Sequence, residues 1–197
     1  MTNPESTPKR RRWWLIILGA VLVLIVGLVG AVFAVGSTLG EEVSSTVTMT
    51  FTQAPEAVWA GIVDYQRNPV SGTMRRETIP LPDDDNGPTW QEDIGNSVIT
   101  VHTIESEPPT RLVRLFEDSI VPMTSRVEYV LEPDGEGTTV TMSGLTTVKD
   151  GTWHVPVFRV MLRLAPDAGS LAFLNDLRGH LNADTSSDEE TGTNDVS

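Results

Sequence analysis

The chain contains no cysteine among its 197 residues. This absence excludes disulfide bonds, thiolate zinc sites and a cysteine nucleophile. Histidine is also scarce, with three residues in the whole chain, and these are not spaced like the ligands of a known metal motif. The sequence therefore predicts a protein with neither a metal site nor a cofactor.

Basic residues are scarce outside the N-terminus. Four of the 14 lysines and arginines form the cluster Lys9–Arg12, and 26 of the 27 acidic residues follow Ser37. From Ser37 onward, 26 acidic and 10 basic side chains give a net charge of −16. A field of this sign repels phosphates, so we expect no nucleic-acid partner.

One long apolar run follows the basic cluster. No charged residue occurs from Trp13 to Val35, and a helix of this length is sufficient to cross the ~30 Å hydrocarbon layer of a bilayer. The sequence predicts a cytoplasmic segment at 1–12, a transmembrane helix at 13–36 and a linker at 37–42. Because the basic cluster precedes the span, the positive-inside rule places the rest of the chain on the extracytoplasmic side of the cell membrane.

A cleaved signal peptide is the alternative interpretation of this run. The apolar region of a signal peptide is ~7–15 residues long, whereas this one is longer. Val32-Phe33-Ala34 is a weak cleavage site, and no clean Ala-x-Ala sequence follows. The length favours an uncleaved anchor.

Alternating patterns predict a mainly β domain after the linker. Val43–Thr52 places apolar residues on one face and Ser or Thr on the other, and Pro55 suits the first turn of a short helix. Further strands are predicted at 73–81, 89–94, 97–105, 111–117, 123–132 and 138–148. Helical patterns follow at 156–164 and 168–181, interrupted at Pro166. The polar segment 183–197 is predicted to be a disordered tail.

Three local motifs add a family resemblance to this element order. They are QAPEAVWAGIVDY at 53–65, IESEPPTRLV at 104–113 and YVLEPDGEGTTVTM at 129–142. In this order and spacing, they resemble the START-like superfamily, also called SRPBCC, which includes polyketide cyclase/dehydrase-like proteins. The resemblance covers residues 43–182. It implies an α+β helix-grip fold, in which a curved antiparallel sheet of about seven strands wraps around a long C-terminal helix.

An apolar cavity between sheet and helix is the site that the resemblance implies. A single helix cannot fill the hollow of a bent sheet, so unfilled apolar volume is expected there. Arg114 shares strand parity with Leu112 and Phe116, which makes it a candidate anchor for a polar group on a ligand. The residues predicted to line the cavity are Trp59, Trp90, His102, Arg114, Phe116, Tyr129, Met142 and Phe158.

Three functions remain open at this point. The first is a membrane-anchored extracytoplasmic module that binds a hydrophobic small molecule or lipid without catalysis. The second is a cyclase- or dehydratase-like enzyme acting on an apolar carbonyl compound, with His102 or Glu92 as the acid–base group. The third is a structural or interaction protein of the cell envelope. The absence of a recognisable catalytic constellation favours the first.

Overall fold

The computed structural model describes residues 9–192, and its first element is a long apolar helix. This helix, α1, runs from Lys9 to Thr38. Its part from Trp13 to Thr38 is long and apolar enough to cross a membrane, and its apolar side chains are mostly exposed. The predicted span at 13–36 lies within it, since no proline interrupts the chain from Lys9 to Thr38.

A seven-stranded antiparallel sheet forms the body of the domain, as predicted. Its spatial order is β1-β7-β6-β5-β4-β3-β2. The strands are β1 (Glu42–Phe51), β2 (Glu77–Pro80), β3 (Trp90–Asp93), β4 (Val98–Glu107), β5 (Arg111–Asp118), β6 (Met123–Asp134) and β7 (Gly137–Val148). The predicted strand at 73–81 is shorter in the structure, because a 3-10 turn occupies Gly72–Met74.

The two faces of the sheet follow the alternation in the sequence. In β1, Val47 and Phe51 are buried. Threonines of the same strand point outward, where the Thr48 hydroxyl lies 3.2 Å from that of Thr141 in β7. Tyr129 and its neighbours of the same parity in β6 face the same interior as the β1 apolar residues. The inner face therefore needs a cover to exclude water.

Helices α2 (Pro55–Val63), α3 (Val155–Leu164) and α4 (Ala168–Gly192) supply that cover. Leu174 and Leu177 of α4 are fully buried against the sheet. A Cβ added at Gly61 of α2 would lie 2.7 Å from Cδ1 of Leu177, so the absence of a side chain there lets α2 and α4 pack closely.

The C-terminal helical region is divided where the sequence predicted it. Pro166 lies between α3 and α4, since its ring cannot continue a helix begun upstream. Helix α4 then continues through 183–192, ten residues into the segment predicted to be disordered. No glycine or proline interrupts the chain from 181 to 191, which permits the extension. Residues 193–197 of the predicted tail lie outside the described residues.

Packing of α4 on the sheet should dominate the stability of the domain. Replacing the fully buried Leu174 with Ala should lower the free energy of unfolding by about 2–5 kcal/mol, because it removes buried methyl groups and leaves a void. The matched change Leu171→Ala, on the same helix but 42% exposed, should cost about 0.5 kcal/mol or less. Denaturant unfolding of the full chain in detergent micelles measures both values. Equal losses would contradict docking of α4 through Leu174.

Candidate ligand-binding cavity

A cavity of about 550 Å³ lies between the inner face of the sheet and helices α3 and α4. Its volume is within the range of ~300–1,000 Å³ typical of small-molecule sites. Most lining side chains are apolar, including Phe116 of β5, Phe158 of α3 and Phe173 of α4. The cavity can therefore hold a mainly hydrophobic molecule.

The strand registers explain why this region is unfilled. One cross-strand row joins Met49, Val140 and Leu131, and these side chains are large enough to pack against α4. Two rows further along, the corresponding inner positions are Ser45, Gly144 and Val127. A further row pairs Ser125 with Thr146. Since inner side chains become smaller toward α3, the space between sheet and helices widens at that end, and all five of these smaller residues line the cavity.

Methionine is concentrated around the cavity. Four of the six methionines in the chain line it: Met74, Met123, Met142 and Met161. Methionine is unbranched and polarisable, so a wall built from it adapts to ligands of different shapes. The lining therefore suits a class of apolar molecules better than one rigid compound.

The mouth of the cavity is marked by lining residues that are also exposed. Met74, the last residue of the 3-10 turn, is 65% exposed and Met161 of α3 is 60% exposed. Ala165 and Pro166, between α3 and α4, also line the cavity and are exposed. The opening is therefore bounded by the end of α3 and by the loop that precedes β2.

The structure places four of the predicted lining residues around the cavity and four elsewhere. Phe116, Tyr129, Met142 and Phe158 line it. Trp59 of α2 is half-buried against the hydrophobic core, and Trp90 of β3 is fully buried with its ring stacked on Tyr65, centroids 4.3 Å apart. His102 and Arg114 occupy the environments described below.

Arg114 lies behind the cavity wall in a fully buried position. Its guanidinium carbon is 4.8 Å from the centroid of the Trp90 ring and 5.9 Å from that of Tyr129. One Nη donates a hydrogen bond of 3.1 Å to the carbonyl oxygen of Ile62, at the end of α2. Burial lowers the pKa of Arg114, and the neighbouring Tyr129 and Glu92 oppose that effect. Arg114 thus ties α2 to the sheet.

Two polar atoms at this wall make no hydrogen bond of good geometry within residues 9–192. They are the Tyr129 hydroxyl oxygen and Nε of Arg114, both buried. Burial raises the pKa of Tyr129, which keeps its hydroxyl protonated, although the charge of Arg114 and donation from its guanidinium to the Tyr129 oxygen partly offset the shift. Because a guanidinium can only donate, the Tyr129 O–H is still without an acceptor. A buried donor without a partner is unfavourable. Tyr129 also lines the cavity, so a ligand oxygen is a suitable partner.

Glu92 is a buried carboxylate whose oxygens are already occupied. It accepts hydrogen bonds from the backbone N–H groups of Val70 and Ser71, both at 2.9 Å, and from Nε1 of Trp90 at 3.0 Å. The hydroxyl of Ser71 donates a further short hydrogen bond. These four donors fix the loop that carries Val70 and Met74 to the cavity wall. The geometry indicates a positioning role for Glu92.

His102 lies on the outer face of β4. Its neighbours Val101 and Thr103 are buried on the inner face, where they pair with Phe116 and Arg114 of β5. Its Nδ1 is 2.9 Å from Oδ2 of Asp84, which belongs to the acidic loop at 82–88. The hydrogen bond with His102 is the main reason that the pKa of Asp84 is lowered. The prediction that His102 lines the cavity is therefore wrong, because strand parity alone does not say which face of a strand is buried.

Several lining residues were not identified from the sequence. Met123, Ser125 and Val127 share the parity of Tyr129 in β6, so extending the alternation backward along the strand would have found them. Val70 and Met74 come from an irregular loop, where no periodicity indicates which side chains point inward. Their positions depend on the carboxylate of Glu92, more than fifteen residues further along the chain.

No protein-family model and no curated protein matches the chain, but solved structures do. The Zhui aromatase/cyclase from Streptomyces sp. R1128 superposes with a TM-score of 0.58 at 15% identity, over 72% of this chain and 94% of that one. The di-domain ARO/CYC StfQ of the steffimycin biosynthetic pathway gives 0.56 at 11% identity, over 74% and 52% of the two chains. Ara h 8.0201 gives 0.53 at 10%, over 72% and 99%.

Identities this low show the fold alone. The shared features are the antiparallel sheet and the C-terminal helix against its inner face. The matches cover about 70–74% of this chain. The chain therefore has the helix-grip fold of the START-like, or SRPBCC, proteins, preceded by one N-terminal apolar helix.

Proposed function

We propose that this protein is a membrane-anchored, extracytoplasmic binding module for a hydrophobic small molecule or lipid. The observation that carries the proposal is the apolar cavity of about 550 Å³, with its mouth beside α3. Its methionine-rich wall favours ligands of variable shape. Burial of such a ligand would supply the hydrophobic driving force for binding.

The anchoring part of the proposal rests on α1. Its Trp13–Thr38 stretch has the length and composition of a membrane span. The indole rings of Trp13 and Trp14 stand at the start of that stretch, where aromatic residues favour the interface. The basic cluster Lys9–Arg12 precedes them and Glu41 and Glu42 follow the helix, so the positive-inside rule favours a cytoplasmic N-terminus.

Binding is favoured over acid–base catalysis by the positions of the two candidate groups. His102 contacts the acidic loop on the outer face, and Glu92 already accepts four hydrogen bonds away from the cavity lining. Two neighbours in fold, Zhui and StfQ, are aromatase/cyclases by name. Neither Glu92 nor His102 lines the cavity, so neither can exchange a proton with a bound ligand there, and the chain is proposed to bind rather than convert its ligand.

The polar end of the ligand would lie at Tyr129. Its buried O–H has no acceptor among residues 9–192, because the neighbouring Arg114 guanidinium can only donate and contributes positive charge. A carbonyl or other oxygen acceptor on the ligand would satisfy this donor. We therefore propose an apolar ligand that carries at least one oxygen.

Filling the cavity should abolish binding without unfolding the domain. Val127 is buried and lines the cavity, so Val127→Trp would place an indole in the ligand space. The control Glu132→Trp adds the same side chain to an exposed position of the same strand. Mass spectrometry of apolar molecules co-purified with the full chain should detect ligand in the wild type and the control, and little in Val127→Trp. Equal ligand content in both variants, with equal thermal stability, would refute this use of the cavity.

Removing the Tyr129 hydroxyl should affect only ligands that carry an acceptor. Tyr129→Phe should weaken binding of acetylanthracene by about tenfold, equivalent to ~1.4 kcal/mol for one lost hydrogen bond. Binding of ethylanthracene, which has a similar shape but no oxygen, should be unchanged. Fluorescence titration of the detergent-solubilised full chain measures both affinities. A parallel loss for the two compounds would argue against a polar end at Tyr129.

The raised pKa of Tyr129 also predicts a dependence of stability on pH. An unfolded tyrosine loses its proton near pH ~10, whereas the buried Tyr129 keeps it to higher pH. Because the folded state then binds more protons, the stabilisation is present below pH ~10 and is lost as the pH rises through the folded pKa. Denaturant unfolding from pH 9 to 11 should show a decline that is shallower in Tyr129→Phe. Identical slopes in the two proteins would contradict this assignment.

A further inference from the structure

Helix α3 both lines the cavity and contacts the C-terminal end of α1. Gly36, in the last turns of α1, is buried, and a Cβ there would overlap the backbone of Pro156 in the first turn of α3. The two helix backbones therefore touch. Phe158, Met161 and Leu162 of the same short helix line the cavity.

Arginines hold α3 against the segment that leaves α1. Arg163 donates to the backbone carbonyl oxygen of Glu42 at 3.2 Å. Arg159, almost fully buried, donates to the carbonyl oxygen of Val148 at 2.7 Å and forms an ion pair with Glu41 at 3.5 Å. These contacts fix the position of α3 relative to the end of α1, so the domain is not free to swing on a flexible linker.

The length of α1 sets the depth of this contact. Starting from the interfacial indole of Trp13, twenty residues at ~1.5 Å per residue cross a ~30 Å hydrocarbon layer and reach Phe33. Gly36 then lies about 5 Å beyond that boundary, inside the head-group layer. Since Pro156 touches Gly36, the first turn of α3 must lie at the same depth.

Exposed apolar side chains stand at both ends of α3. Trp153, just before α3, is 78% exposed, and Leu164 at its end is 80% exposed. Neither side chain has the environment of a core residue, and Met161 at the cavity mouth lies between them in sequence. Indole and aliphatic side chains on a short amphipathic helix favour the interfacial layer of a bilayer.

We propose that the exposed face of α3, with Trp153 and Leu164, inserts into the lipid interface and holds the cavity mouth against the bilayer. The cavity then receives its ligand from the membrane, without passage of an apolar molecule through bulk water. This inference rests on the proposed anchoring and extends it to the orientation of the domain.

Site-specific fluorescence quenching tests the orientation. The chain has no cysteine, so a single introduced cysteine in the full-length protein carries one environment-sensitive nitrobenzoxadiazole label. Three variants suffice: Leu22→Cys within the span, Leu164→Cys on α3, and Glu136→Cys in the exposed β6–β7 hairpin. Each is reconstituted into phosphatidylcholine vesicles with and without brominated acyl chains near the interface.

The expected result is strong quenching at position 22, quenching by about half at position 164 because that face lies in the interfacial layer, and none at position 136. Quenching at 22 without quenching at 164 overturns the orientation and leaves the anchor intact. Absence of quenching at 22 overturns both. Quenching at all three positions indicates collapse of the domain onto lipid and also refutes a specific face. Ligand binding, measured separately in detergent, is unaffected by any of these outcomes.

Discussion

The size of the sheet's inner face relative to the helices that cover it is the constraint on which the structure depends. Helix α4 packs tightly where the inner rows carry Leu131, Val140 and Met49. Two rows further along, the inner side chains are as small as Ser45 and Gly144. Helix α4 begins only at Ala168, after the turn that contains Pro166. A sheet side chain contributes nothing to filling space that lies beyond its own length. The cavity thus results from the decrease in side-chain volume along the inner faces of β1, β7 and β6.

Two buried charged residues, Glu92 and Arg114, hold the elements around the cavity in place. Glu92 uses four donors to hold the loop that carries Val70 and Met74, and Arg114 connects β5 with the end of α2. Burying charge is costly unless each group is paired or hydrogen-bonded. The polar atoms that stay unsatisfied, Nε of Arg114 and the Tyr129 hydroxyl, lie together at the wall where Tyr129 borders the cavity. An unfilled apolar space with an unsatisfied polar end is complementary to an amphipathic molecule.

Sequence patterns predicted the fold more fully than the site. Period-two alternation and Pro166 were sufficient to locate the strands along the chain and the division of the last helical region, because both follow from local rules. Parity also placed Arg114 on the inner face, but not its depth beneath Trp90, which depends on contacts with another strand. His102 shows the corresponding limit: parity separates two faces without naming the buried one, and a register shift between Thr103 and Glu105 alters the pattern nearby.

Helix α3 links the two parts of the chain that sequence analysis treated separately. Its first turn touches α1, and its inner face borders the ligand space. An apolar molecule concentrates in a bilayer relative to water, so a cavity held at the membrane by the proposed anchor would take its ligand directly from the lipid phase. The adaptable methionine wall fits that proposed source, because it accepts apolar molecules of different shapes without tight complementarity.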